Sequence, residues 1–400
     1  VNAEDFRGYK TDQAYIDIIK DTAIKRYYGA WENTNVDDEI NMQKKFKSKH
    51  SFLPEKLTAN SYKMPRFSTS FGNFSQIYAD NISKVLFSLS AENICKQLDE
   101  IGTDLKKCNL KCYDINPGNI LFCSKEKLLK LIDLYWCNKN ELEDPSVKLN
   151  EFYSKNDALS LRLLQKEVTC IFNILFNEKI IDIKKEFINT VGKIYNDGSF
   201  VSPGVAYQPI DIPGFDDVPC FHKNCADEYQ HIKKHIPKDI TKIVDIGCSS
   251  GYFTFNLMRD FFLSSATVYE TDPAVLILLN KLKDLYSLNY LNIAGRFDEN
   301  VTFESDVTIW MNNYQWIDKE IGRERATQAL RKVIKNSKLL FFQASGIESS
   351  GTAIVDYLTN KDQISSFLES LGGKVEFLNS TTKHGGVRHL FKVIPNRGIV

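Results

Sequence analysis

The sequence has no surplus of charge. Its 51 lysines and arginines are matched by 51 aspartates and glutamates. The balance is local as well as global: residues 1–200 hold 29 basic and 28 acidic side chains, and the rest hold 22 and 23. This counts against a surface that tracks nucleic-acid phosphates without specificity and leaves room only for a local basic patch. No apolar run approaches the roughly 18–20 residues that a membrane helix needs, although peripheral membrane association is compatible with the composition. Glycine and proline are sparse, at 20 and 11 of 400 residues, which excludes collagen-like and low-complexity chains. The nine cysteines are scattered and odd in number, as expected of a reducing cytoplasm and not of a disulfide framework. The nearest approach to a metal cluster, Cys220, His222 and Cys225, follows no dependable zinc spacing and reads as a reduced loop. The first six residues are polar and do not read as a signal peptide. The chain opens on Val1 and not Met, as expected of an excised or processed piece.

What is present is an ordinary globular composition, 43% apolar and 26% charged. The length is about twice what one core organises, so two domains are expected. The clearest punctuation is the Pro/Gly-rich stretch from Asp197 to Phe221, which breaks helices and favours turns. Domains at 1–200 and 221–400, joined by a linker at 201–220 that lies against a site, follow from it. Before the linker, strands are expected at 14–19, 22–28, 52–57 and 61–67, with a polar helix at 36–46. Helices at 75–89 and 91–107, short strands at 120–122 and 129–133, and helices at 156–177 and 183–195 follow. A strand-rich lobe followed by a helical lobe is α+β. After the linker, strands near 242–246, 266–269, 290–294, 307–310 and 338–343 alternate with helices near 252–262, 273–285, 323–334 and 361–371. That alternation predicts a doubly wound α/β sheet. Two further strands near 375–379 and 389–394 have no helix between them and form an antiparallel edge pair.

In the second half, Asp245-Ile246-Gly247-Cys248-Ser249-Ser250-Gly251 ends the first strand and turns into a helix. Small residues at 247, 249 and 251 allow a tight turn and close approach of a ligand to the backbone. Glu270 and Asp272 follow the second strand, where a carboxylate can accept hydrogen bonds from ribose hydroxyls. The pattern resembles the class I S-adenosylmethionine-dependent methyltransferases, with Ser249 in place of the middle glycine of their first motif. The resemblance implies that Asp245, Gly247, Ser249 and Gly251 cradle S-adenosylmethionine. It implies that Asp272 holds the ribose, with Glu270 the competing choice, and that Asp298 lies near the adenine. The segment Trp310-Met311-Asn312-Asn313-Tyr314-Gln315-Trp316, which ends the fourth strand, would line the methionine and acceptor side, with Asn312 nearest the cofactor. Nicotinamide-binding Rossmann domains use a related glycine turn. The acidic residue inside the strand, the Ser-Ser-Gly ending and the closing strand pair favour the methyltransferase. Trp310, Tyr314 and Trp316 are part core and part candidate stacking platform. His384 and Arg388, in the turn before the last strand, are acceptor-side candidates.

In the first half, Cys112-Tyr113-Asp114-Ile115-Asn116-Pro117-Gly118-Asn119 places an Asp five positions before an Asn, ahead of an apolar strand. A second Asp, Asp133, ends the next strand. A carboxylate that orients a hydroxyl, with hard oxygen ligands for magnesium, is what phosphoryl transfer requires. The string resembles the catalytic loop of the protein-kinase-like superfamily, nearest the aminoglycoside-phosphotransferase style, with Cys112 in place of the usual His. The resemblance implies Asp114 as the catalytic carboxylate and Asn119 and Asp133 as Mg2+ ligands. Thr22-Ala23-Ile24-Lys25 resembles the Lys motif of the third strand, and a helix bearing Glu39, or alternatively Asp38, follows it. Met64 falls in the segment expected to contact the adenine of ATP. The glycine-rich phosphate loop is represented only by Gly8.

The sequence thus predicts a bilobal kinase-like domain followed by a Rossmann-like methyltransferase. Its combination of domains resembles, in opposite order, the bifunctional kinase–methyltransferases that terminate bacterial O-antigen chains. The expected function is phosphorylation and methylation of a glycan or small hydroxylated acceptor. A methyltransferase carried on a pseudokinase scaffold is one alternative. An RNA methyltransferase is another, against which the balanced charge counts.

Overall fold

The computed structural model describes residues 9–10, 14–19, 22–27, 36–65, 69–70, 83, 85–110, 119–132, 134, 161, 164–166, 168–169, 172–194, 204–345, 355–383 and 386–396. The chain divides into two compact units, Val1–Lys179 and Ile180–Val400.

The first unit contains a five-stranded sheet of β1 (Tyr9–Lys10), β2 (Ala14–Ile19), β3 (Thr22–Tyr27), β4 (Glu55–Thr58) and β5 (Ser61–Pro65). The strand order is β1-β2-β3-β5-β4, and every pairing is antiparallel. Helix α1 (Val36–Lys45) follows β3 and opens on Asp37, Asp38 and Glu39, acids that complement the positive end of a helix. Its buried face meets the sheet in a core of Ala23, Tyr27, Val36, Ile40, Phe52, Tyr62, Met64 and Ile132. Strands β6 (Thr69–Ser70), β7 (Ile120–Cys123) and β8 (Leu128–Leu131) form a second antiparallel sheet. Helix α2 (Ala91–Lys107) is capped by the Ser90 side chain and buries Ile94, Leu98, Ile101 and Leu105, a spacing that makes one helical stripe.

The second unit is Rossmann-like. Its strands are β9 (Lys242–Ile246), β10 (Ser265–Tyr269), β11 (Leu291–Ala294), β12 (Ser305–Met311), β13 (Ser337–Ser345), β14 (Gly373–Lys383) and β15 (Gly386–Pro395). They form one sheet in the order β11-β10-β9-β12-β13-β15-β14. All neighbours are parallel except β15, which runs antiparallel to both β13 and β14. The expected antiparallel pair is therefore present, with the last strand inserted beside β13. Nearly every residue of β12 is buried, as in a strand covered on both faces. Trp310 at its end meets Phe297, Tyr314 and Phe342 edge-on. Trp310 and Tyr314 are fully buried, and only Trp316 of that aromatic set is exposed. A stacking platform built on Trp310 and Tyr314 is excluded because the core consumes both rings.

One element differs from the sequence expectation. The helical segments expected to separate after Asn177 are continuous: a π-helical turn, Phe172–Asn177, runs directly into α3 (Glu178–Ile194). No proline or glycine lies between Phe172 and Val191 to break it. A short helix, Tyr314–Ile321, lies between the fourth strand and the helix expected near 323–334. Residues 204–221 of the Pro/Gly-rich stretch are built into the second unit. Ala206 bridges Cys220, the Ser250 hydroxyl donates to the Gln208 carbonyl at 2.9 Å, and Arg259 pairs with Asp211 at 2.8 Å. Among the described residues no helix is long and apolar enough to cross a membrane.

Candidate functional sites

In the first unit, β3 and α1 bring Lys25 and Glu39 together. Lys25 Nζ lies 3.8 Å from Glu39 Oε2, and both side chains are buried. Glu39 also accepts from the Tyr27 hydroxyl at 2.5 Å and from the Tyr62 hydroxyl at 2.7 Å. Lys25 Nζ stands 4.8 Å from the centroid of the Tyr27 ring. Two tyrosine donors and one ammonium on one carboxylate offset the cost of burying that charge. Met64 lies inside β5, opposite Ala23, and its side chain is buried in the core of this unit. At that position only its backbone is available to a ligand. Asn119 is buried, and its carbonyl accepts from Ile132 N at 2.9 Å. The start of β7 and the residue before Asp133 are thereby held together. Asp114 and Asp133 lie outside the described residues.

In the second unit, the turn after β9 is left-handed at three alternate positions: Gly247 (φ 70°), Ser249 (φ 49°) and Gly251 (φ 82°). A Cβ on Gly247 would fall 1.6 Å from the Asn313 side-chain amide, and one on Gly251 would fall 2.8 Å from the Phe255 ring. Both positions therefore need glycine for space as well as for conformation. Ser249 occupies the same left-handed region at a conformational cost. It is held there by the hydrogen bond from Ser249 N to Glu270 Oε2, at 2.8 Å.

The sequence offers four carboxylates for this site. Asp245 is fully buried inside β9 and accepts from the Thr254 hydroxyl at 2.6 Å. Burial pushes its carboxyl up to about 7, against the pull of the Thr254 hydrogen bond. Glu270 directly follows β10 and accepts three backbone N–H groups, from Ser249, Thr271 and Asp272. Burial raises its carboxyl despite those bonds. Asp272 caps α4 (Pro273–Leu285): its Oδ1 accepts from Ala274 N at 2.8 Å and Val275 N at 3.4 Å. With proline in the first helical position, this is a strong helix start. Asp298 closes a small turn by accepting from Asn300 N at 2.8 Å. Of the two acids after β10, Asp272 has one oxygen committed to the helix, whereas Glu270 reaches the glycine turn itself.

Asn312 follows β12 in a left-handed conformation (φ 52°). Its amide donates to the Gln343 side-chain oxygen. Gln343 donates to Glu228 Oε1 at 3.0 Å, and the Thr381 hydroxyl donates to the same oxygen at 3.0 Å. Asn312 Oδ1 and Gln315 Oε1 are buried acceptors without a hydrogen-bond partner. They lie beside Asn313, which touches the glycine turn. Unsatisfied acceptors at the carboxyl edge of a parallel sheet fit a ligand bearing N–H donors, such as an amino-acid ammonium. Glu228, Gln343 and Thr381 carry no local motif, and their partners are 115 and 153 residues away in sequence. Cys225 Sγ faces the His222 carbonyl at 3.3 Å, and the described residues hold no cluster of His, Cys, Asp and Glu suited to a metal ion.

No protein-family model and no curated protein matches the chain. Among solved structures it is similar to the N-terminal domain of EvdMO1 with SAH bound. That likeness has 13% identity over 54% of this chain and 96% of that one, with a TM-score of 0.40. It is also similar to the bifunctional kinase-methyltransferase WbdD, with 12% identity over 49% of this chain and 44% of that one and a TM-score of 0.39. A third, a phospholethanolamine N-methyltransferase 2 from Haemonchus contortus, has 12% identity over 43% of this chain and 53% of that one, at a TM-score of 0.34. The chain spans 42% of the length of EvdMO1 itself.

Proposed function

We propose that the second unit is an S-adenosylmethionine-dependent methyltransferase and the first a Mg-ATP-dependent phosphotransferase. Together they would modify a hydroxyl of a glycan or small-molecule acceptor. The observation that carries the methyltransferase reading is the turn at 247–251: three left-handed residues between β9 and its helix, buttressed by Glu270 and closed by Asn313. S-adenosylmethionine would supply an activated methyl group on a sulfonium centre, and Mg-ATP a transferable phosphoryl group. In this reading Gly247, Ser249 and Gly251 present backbone to the cofactor. Glu270, keeping Ser249 N on Oε2, accepts from ribose hydroxyls on its other lone pairs, and Asp272 acts through the start of α4. Asn312 Oδ1 and Gln315 Oε1 accept from the methionine ammonium, Asp298 stands on the adenine side, and Asp245 holds the turn from below through Thr254.

The phosphotransferase reading is supported by the buried Lys25–Glu39 pair on β3 and α1. Lys25 would neutralise phosphate oxygens while Glu39 fixes its position. Asn119 and Asp133 would hold Mg2+, and Asp114 would orient the acceptor hydroxyl. Isothermal titration of the full chain with S-adenosylhomocysteine, and separately with Mg-ATP, tests the two halves. Binding of both is expected. Cofactor binding without nucleotide binding would replace the phosphotransferase with a scaffold domain, and failure to bind S-adenosylhomocysteine would overturn the methyltransferase.

A further inference from the structure

Arg388 lies on β15, opposite Thr381 of β14 and Ser345 at the carboxyl end of β13. It therefore stands at the edge of the sheet where doubly wound folds bind their ligands. A continuous polar line leads to it from the glycine turn, through Asn313, Asn312, Gln343, Glu228 and Thr381. Its surroundings are unusual for a guanidinium. Arg388 Nη1 lies 3.3 Å from the Tyr207 hydroxyl and 3.3 Å from His222 Nε2, both uncharged acceptors when the imidazole is neutral. The rings of Tyr207 and His222 meet edge-to-face with centroids 4.1 Å apart, which fixes both beside the guanidinium. Arg388 Nε is buried without a hydrogen-bond partner, and no carboxylate among the described residues lies within ion-pair distance of Arg388. Glu228, the nearest carboxylate along the polar line, receives Gln343 and Thr381 instead. Arg259 of the same unit shows the ordinary solution: it is buried, and it meets Asp211 at 2.8 Å, whereas Arg388 is half-buried with only its Nε shut off from solvent.

The buried Nε–H leaves one donor unused, at a cost in free energy, while the Nη groups make only long contacts to neutral side chains. An oxyanion would relieve it. Nε–H and an Nη–H form a planar fork that matches two oxygens of one anion. Tyr207 can turn its hydroxyl proton toward the same anion. We propose that Arg388, with Tyr207 and His222 beside it, binds an oxyanion of the methyl acceptor, the phosphate or carboxylate of an anionic substrate. This rests on the methyltransferase reading, since it takes the carboxyl edge of the sheet as the acceptor side.

The test uses the full chain and watches the His222 imidazole by 15N-labelled ring NMR, assigned with His222→Gln. Inorganic phosphate and acetate are titrated separately, and S-adenosylhomocysteine binding is measured in parallel. At least one anion is expected to shift the His222 signals. Arg388→Gln should weaken that titration about ten-fold or more, and Arg388→Lys should retain part of it. Tyr207→Phe, which leaves the guanidinium in place, should weaken it by a smaller factor. Preference for phosphate over acetate assigns a phosphate ester, and the reverse a carboxylate. His222 signals indifferent to both anions, or an Arg388→Gln protein of unchanged melting temperature that titrates like the wild type, would overturn the proposal. If S-adenosylhomocysteine does not bind, the acceptor role falls with the methyltransferase reading, whatever the anions do.

Discussion

Glu270 Oε2 accepts the backbone N–H of Ser249 at 2.8 Å. A carboxylate at the tip of one strand thus holds the left-handed middle of the turn that ends its neighbour. Two acids compete for the ribose in the sequence, and they differ in their partners. Glu270→Gln should weaken S-adenosylhomocysteine binding by about ten-fold or more, since a charge-assisted acceptor is lost. Asp272→Ala should instead cost about 1 kcal/mol of stability through the lost helix cap, with a smaller effect on affinity. Calorimetry and thermal melts on both variants separate the two roles, and a larger affinity loss in Asp272→Ala would reverse the assignment.

Gly247 and Asn313 provide a steric test of the same turn. A methyl group on Gly247 would overlap the Asn313 amide, and the φ of 70° disfavours any side chain. Gly247→Ala should therefore lower the melting temperature and cofactor affinity together, and Gly247→Val should abolish binding. Adding Asn313→Gly to Gly247→Ala should recover part of the loss, because it removes the clash and leaves only the backbone strain. No recovery would mean that Asn313 does not close the turn.

Asp245 makes stability depend on pH. Its native carboxyl is pushed up to about 7 by burial, against roughly 3.9 in an unfolded chain. Between those values the native state keeps a proton that the unfolded chain has lost, so stability falls as pH rises from about 4 to 7. The full penalty, on the order of a few kcal/mol, is then present above pH 7. Asp245→Asn should flatten this slope and raise the melting temperature at pH 8 relative to the wild type, with little gain at pH 4. The measurement is melting of the ligand-free proteins across that range, and parallel curves for the two would refute the assignment.

The parts of both sites that were legible in the sequence are those in which chemistry and local geometry coincide. Gly247, Ser249 and Gly251 are readable because a left-handed turn demands small residues within five positions. Lys25 and Glu39 are readable because a strand followed by a helix fixes their separation. The network of Glu228, Gln343, Thr381 and Arg388 had no such signature. It joins a helix before the first strand of the sheet to the ends of three other strands, and only the insertion of β15 beside β13 brings them into one line. Trp310 and Tyr314 were ambiguous because a buried aromatic cluster and an exposed platform use the same residues. Packing against Phe297 and Phe342 decides it.

The Lys25–Glu39 pair provides a test of the first unit. Lys25→Met should remove the thermal shift produced by millimolar Mg-ATP, because the charge proposed to neutralise the phosphates would be lost. Tyr27→Phe and Tyr62→Phe keep the ion pair but remove the two hydroxyls that hold Glu39. Each should weaken nucleotide binding several-fold without abolishing it, as expected for loss of one hydrogen bond to a charged group. Equal shifts in the wild type and Lys25→Met would place the nucleotide elsewhere.

If both units act on one acceptor, phosphorylation comes first and creates the group that is methylated. Phosphoryl transfer forms a bond between the acceptor oxygen and phosphorus, breaks the bond to the leaving diphosphate, and releases the hydroxyl proton. Asp114 is the carboxylate expected to orient that hydroxyl. The product oxygen is anionic at neutral pH, so it can attack a methyl group without a base to remove a proton. It would also supply the oxyanion that Arg388 is proposed to bind. Asp114→Asn should keep the fold and Asn119 and Asp133, the proposed magnesium ligands, while lowering phosphorylation by orders of magnitude. With ATP, Mg2+ and S-adenosylmethionine all present, mass spectrometry should then find no methyl increment on fresh acceptor. Acceptor phosphorylated beforehand should still gain the methyl group at the wild-type rate. Undiminished methylation of fresh acceptor by Asp114→Asn would show that the two reactions are independent.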